Sequence, residues 1–150
     1  MPFSNGIVKT SDLHLLPIVD RHGERAHITV APLQPQSRGR VSLDAIDHRL
    51  LSNERDRGAL AAALELAREL AEHEALRSLG RPVTSSIDET LGIYFHPVPT
   101  CAIGTVIGDD FRVHGFENLS VCDASVFATI PRANTHLPTL ALAEKLGSEL

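Results

Sequence analysis

His96 lies in the segment YFHPVPTCAIG, where Pro97 and Pro99 stiffen the backbone behind it. An imidazole carried on a stiff backbone suits a general base, because proton abstraction needs the nitrogen already in place. Farther along, the triplet Asp123-Ala124-Ser125 closes an apolar run, and PRANTHLPT (131–139) opens a helix. The free amides of a helix start stabilise negative charge on a ligand. Asn134 and Thr135 fall just before that start. A histidine placed like His96 is by itself more often structural, and these downstream segments are what give the general-base reading its weight.

Other chemistries fit less well. His96, Cys101, His114, Cys122 and His136 are of metal-ligating types, yet no HExxH or CxxC pair occurs and no metal is expected. Asp123, Ser125 and the histidines supply the residue types of a hydrolytic triad, but no GxSxG surrounds a serine. Arg38 and Arg40 in SRGR could grip a phosphate, although arginines beside a turn are more often solvated or bonded locally.

The 150 residues suit about one domain and carry a formal charge of -5, which disfavours a phosphate backbone or an anionic bilayer as partner. Aromatic residues at 4%, with no Trp, leave little for base stacking. With 43% hydrophobic and 22% charged residues the chain reads as a folded domain. Two cysteines are too few for a disulfide scaffold, and neither a signal peptide nor an apolar span is present, so a cytoplasmic location is expected.

The elements that carry these residues are marked unevenly. One short extended segment is expected within 13–19. RAHITVAPL (25–33) and RVSLDAI (40–46) read as strands, and QPQSRG between them suggests a hairpin. Asp56–Leu79 repeats Leu60, Leu64, Ala67 and Ala71 at helical spacing, with Ser52 or Asn53 as cap and Gly80 and Pro82 at the end. LGIYFHPVPTCAIG (91–104) begins as a strand broken by prolines, FRVHG (111–115) is extended, and LSVCDASVF (119–127) begins as a buried strand ending at Asp123. LPTLALAEKL (137–146) is a helix, with Pro138 in its first turn and Gly147 past its end. No repeat, linker or domain boundary is evident.

Taken in order, YFHPVPTCAIG, DDFRVHGFENLSVCDASVF and IPRANTHLPTLALAEKL resemble the C-terminal signature of the glucose–methanol–choline (GMC) flavin oxidoreductases. The upstream text from ITVAPLQPQSRGRVSL through ARELAEHEAL resembles the substrate-domain stretch of the same family, so the likeness covers roughly residues 25–150.

The resemblance implies an FAD-dependent alcohol oxidoreductase. A base takes the hydroxyl proton of a small-molecule alcohol while the carbon-bound hydride passes to flavin N5. It places the base on His96 and a second polar residue, binding the substrate oxygen, on Asn134. Flavin contacts map to Asp123, Ala124, Thr135 and His136. The implied fold is α+β: an antiparallel substrate-domain sheet with the long amphipathic helix near it, plus a C-terminal strand and helix belonging to a flavin-binding domain.

Departures accompany the likeness. Pro99 stands where many members have Gly, Ile103 where Met is frequent, and the stretch between Leu43 and Ile46 is short, whereas the acidic pair Asp109 and Asp110 is kept. None of the ten glycines forms a GxG, so the fingerprint that anchors the FAD pyrophosphate is missing. Residues 1–150 are therefore expected to be a substrate-domain, C-terminal region without the Rossmann part, completed by a flavin-domain polypeptide. The alternative is a non-catalytic remnant or binding module of the same fold. In either case apolar surface is expected to stay exposed around 119–126 and 137–146.

Overall fold

A computed structural model describes residues 12–19, 22, 25–83, 85–96, 98–132 and 134–149. The chain divides into two compact units, Met1–Gly92 and Ile93–Leu150, a division that the sequence does not announce. Both units combine into an α+β inventory with antiparallel sheets.

In the first unit, β1 (Leu13–Val19) pairs antiparallel with β2 (Ala26–Pro32), in a register that sets Leu13 opposite Pro32 and Leu15 opposite Val30. The expected hairpin between 25–33 and 40–46 does not form. Instead Leu33 N–H donates to Asp12 O at 2.8 Å, which completes the β1–β2 ladder. The chain from 40 to 47 closes on itself as β3 (Arg40–Val41) against β4 (Ile46–Asp47).

The reason lies in the connecting loop, which is held by a helix rather than by β2. The Asp56 carboxylate, 2% exposed, accepts from Gln36 N–H at 2.8 and 2.9 Å, from Ser37 N–H at 2.6 Å and from the Ser37 hydroxyl. Ser37 Oγ also accepts from Asn53 N–H at 3.1 Å. Gly39 then passes so close to the Asp47 and His48 carbonyls that no Cβ fits there.

That helix, α1 (Glu54–Glu72), starts at Asn53, whose side chain accepts from Arg55 N–H. It packs on β2 and buries Asp56, Ala59, Leu60, Ala63 and Ala67. Of the predicted stripe, Leu60 and Ala67 are buried and Leu64 and Ala71 half-buried, while Ala59 and Ala63 widen the face toward the sheet and allow close approach. The helix ends earlier than the predicted Leu79, because His73 adopts an extended backbone, donates its N–H to Leu70 O and offers its ring Nδ1 to Ala75 N–H. A 3₁₀ segment, Glu74–Leu79, follows and ends at Gly80, where φ is 124°.

A short helix, α2 (Ile87–Thr90), was not anticipated, although its capping box is legible in Ser86-Ile87-Asp88-Glu89. Ser86 N–H and hydroxyl both donate to Glu89, which holds that carboxyl below its usual range.

The second unit is built from tight turns around Ile107, Phe111 and Val126, with Ile103, Val106, Val113, Val121, Cys122, Leu142 and Leu146 packed against them. Residues 91–96 form no strand, and 111–115 and 119–123 contribute only isolated bridges, Ile107 with Val113 and Arg112 with Ser120. Left-handed backbone at Phe95 and Phe111, with φ of 57° and 63°, interrupts the extended course that their apolar patterning suggests.

The last helix, α3 (His136–Glu149), runs through Gly147 rather than stopping before it. The Ser148 hydroxyl donates to Lys145 O at 2.7 Å and closes the final turn. Of the surfaces expected to stay apolar and open, Leu119, Leu137 and Leu140 are exposed, whereas Val126 is buried and Leu142 and Leu146 face the core.

Candidate functional site

The predicted site residues all lie in the second unit, on three chain segments stitched together by hydrogen bonds. Beyond His96, Cys101 N–H donates to Ser125 O and Ile103 N–H to Val126 O, each at 3.0 Å. These bonds tie the His96 segment to the 3₁₀ turn Ala124–Val126. The third segment is the start of α3.

His96 Nδ1 lies 3.0 Å from the Thr135 hydroxyl oxygen. Two residues earlier the Tyr94 hydroxyl donates to Asn134 Oδ1 at 3.1 Å. Tyr94 and His96 themselves meet edge to face, with ring centroids 5.1 Å apart and planes at 78°. Two side chains of one segment therefore grip two consecutive residues of the other, and His96 and Asn134 are brought onto the same patch.

The backbone between Tyr94 and His96 turns through the left-handed conformation at Phe95, whose side chain is 80% exposed. A bulky residue held there costs on the order of 1–3 kcal/mol, and such strain collects at functional sites.

Thr135 is 6% exposed and stands at the start of α3. Its carbonyl accepts from both the N–H and the hydroxyl of Thr139, at 2.9 and 2.7 Å, while its own hydroxyl serves His96. His136 and Asn134 are exposed, one on each side of Thr135. The first-turn amides of α3 have no carbonyl to meet inside the helix, and Pro138 contributes none.

Asp123 caps its own turn, accepting from Ser125 N–H at 2.7 Å. Bonds from the Ser125 hydroxyl and then its N–H hold the Asp123 carboxyl below its ordinary value of 3.8. Desolvation, and then the Asp123 charge, push the neighbouring Cys122 thiol up, which keeps it in the unreactive protonated form. Ala124 is half-buried in the same turn.

Tyr94 escaped the sequence reading, though an aromatic two residues before a predicted base was visible in the text. Arg38 donates to the carbonyls of Pro35 and Ser37, so its guanidinium is engaged locally. Among the described residues no three His, Cys, Asp or Glu side chains converge as metal ligands, and no helix is long and apolar enough to cross a membrane.

Residues 35–143 match the family model described as GMC oxidoreductase. The chain is 32% identical over 160 residues to an oxygen-dependent choline dehydrogenase of Photobacterium profundum, covering 87% of this chain and 28% of that protein. It is 30% identical over 171 residues to one from Pseudomonas fluorescens, covering 91% and 30%. Among solved structures, pyridoxine 4-oxidase from Mesorbium loti superposes with a TM-score of 0.69 and 26% identity over 83% of this chain and 29% of that one. A fungal aryl-alcohol oxidase gives 0.64 and 28% identity over 81% and 24%. The chain spans less than a third of the length of these relatives.

Proposed function

This chain belongs to the GMC oxidoreductase family, and from that premise we propose that it supplies the C-terminal, substrate-side part of an FAD-dependent alcohol oxidoreductase. His96 is the base and Asn134 the donor to the substrate oxygen. The observation that carries this reading is the pair of cross-links, Thr135 to His96 and Tyr94 to Asn134, which hold an imidazole and a carboxamide side by side.

His96 accepts the hydroxyl proton of the alcohol at Nε2, the nitrogen that Thr135 does not engage. Asn134 Nδ2 donates to the substrate oxygen as negative charge grows on it. Removing that proton weakens the neighbouring carbon–hydrogen bond toward hydride loss, and a positioned base contributes about 10²–10⁴ in rate. FAD, when bound, supplies the hydride acceptor.

The donor set suits one end of that cofactor. First-turn amides of α3, with Thr135 and His136 beside them, fit the electron-rich carbonyl edge of a flavin ring, and the turn of Asp123 and Ala124 adds a second approach. No GxG occurs in these 150 residues, so a Rossmann-type pyrophosphate anchor must come from another polypeptide segment, a flavin-domain partner in this proposal. The relatives' names denote action on choline, pyridoxine and aryl alcohols, and a small-molecule alcohol is the substrate class proposed for this chain. A cytoplasmic setting goes with it.

The test is co-production with a flavin-domain polypeptide, followed by alcohol-dependent dye reduction. Activity that His96→Ala lowers by about 10²–10⁴ supports the reading. Wild-type rates in His96→Ala remove the base. A colourless complex without dye reduction leaves the non-catalytic module in its place.

A further inference from the structure

We propose that Tyr94 and Thr135 are positioning residues that decide which nitrogen of His96 and which end of the Asn134 carboxamide face the reacting alcohol. This inference rests on the reading of His96 as the base.

Neutral imidazole carries its proton on one nitrogen and a lone pair on the other, and the partner of one nitrogen sets the role of the other. A base working through Nε2 needs the proton on Nδ1, and Nδ1–H needs an acceptor. Thr135 Oγ1, 3.0 Å away on a residue 6% exposed, is that acceptor, shielded from competing water. The threonine is held in turn, because its carbonyl anchors Thr139 through two hydrogen bonds. The edge-to-face contact between the Tyr94 and His96 rings restricts rotation of the imidazole.

Carboxamide chemistry makes the second half of the argument. An amide oxygen only accepts and an amide nitrogen only donates. With Oδ1 of Asn134 occupied by the Tyr94 hydroxyl, Nδ2 is the end left to meet an oxygen that gains negative charge. The two contacts thus present a lone pair and a donor together, the combination that deprotonation of an alcohol requires.

The test reads protons directly. In the full chain labelled with ¹⁵N-histidine, long-range ¹H–¹⁵N correlation spectra of the neutral imidazole are expected to show Nδ1 protonated and Nε2 bare. Loss of the signals in His96→Gln assigns them. Thr135→Val should move the proton to Nε2, and Thr135→Ser should restore the wild-type pattern. Tyr94→Phe should shift the Asn134 side-chain amide resonances and leave the His96 tautomer alone.

A proton on Nε2 in the wild type overturns the proposal, as does a Thr135→Val spectrum unchanged from it. Should Thr135→Val not fold, the wild-type and Thr135→Ser spectra decide alone. Activity with the flavin-domain partner separates the two claims. A tautomer switch beside a fully active His96→Ala defeats the base reading, whereas an unchanged tautomer beside an inactive His96→Ala defeats the positioning role alone. Support for both is a switched tautomer in Thr135→Val with kcat down about tenfold or more and KM little changed.

Discussion

The Tyr94 hydroxyl donates to Asn134 Oδ1 across 3.1 Å, joining residues 40 positions apart. The same two stretches are joined again one residue on by Thr135 and two residues on by His96. Such double stitching gives an irregular segment a defined geometry without a sheet or helix of its own. It also makes the second unit sensitive to its small core, and the first unit depends on a different buried anchor.

Asp56→Ala should destabilise the first unit. The substitution strands the Gln36 and Ser37 N–H groups and the Ser37 hydroxyl, and leaving such donors unsatisfied costs about 1–3 kcal/mol each when water cannot reach them. Asp56→Asn, which keeps one acceptor, should lose less. Denaturant melts of both variants check the order, and equal stability of Asp56→Ala and the wild type would contradict the anchor.

Two glycines predict opposite signs. Gly39→Ala places a Cβ against the Asp47 carbonyl oxygen and 2.9 Å from that of His48, both backbone atoms, and overpacking of this kind costs about 1–3 kcal/mol. Gly58→Ala, inside α1 with nothing within 4 Å, should stabilise by about 0.5–1 kcal/mol through better helix propensity. Thermal unfolding of the two single variants reads both signs.

Ile107→Ala should cost about 2–5 kcal/mol, since Ile107 is fully buried among Phe111, Val126 and their neighbours. The expected signature is early loss of hydrogen-exchange protection in 93–149, with α1 still protected.

Acid should weaken the turn at Asp123. Its folded pKa lies below the ordinary 3.8, so its contribution is present above that value and is lost as pH falls through the folded pKa. Asp123→Asn should therefore be less stable than wild type at about pH 7, with the gap closing as pH falls through the folded pKa of Asp123. A gap that widens in acid would reverse the assignment.

Local composition marked the segments around His96, Asp123 and the start of α3, whereas the roles proposed for their residues came from the likeness to the family, and the capped start of α1 at Asn53 follows from short-range hydrogen bonding. The amphipathic repeat likewise announced α1, and Leu60 and Ala67 of the predicted stripe are buried, with Asp56, Ala59 and Ala63 completing the face.

By itself, the order of residues determined the main helices and the turn-forming segments between them, because each depends on neighbours within a few positions, while the α+β layout was implied by the likeness to the family. Only the tertiary structure decided that β2 pairs with β1 and not with 40–47, for that choice turns on a carboxylate 19 and 20 residues away from the loop it holds. Only the fold, too, set Tyr94 and Thr135 around His96 and Asn134. Those contacts join separated stretches of chain, and local patterning does not encode which distant hydroxyl will meet which nitrogen.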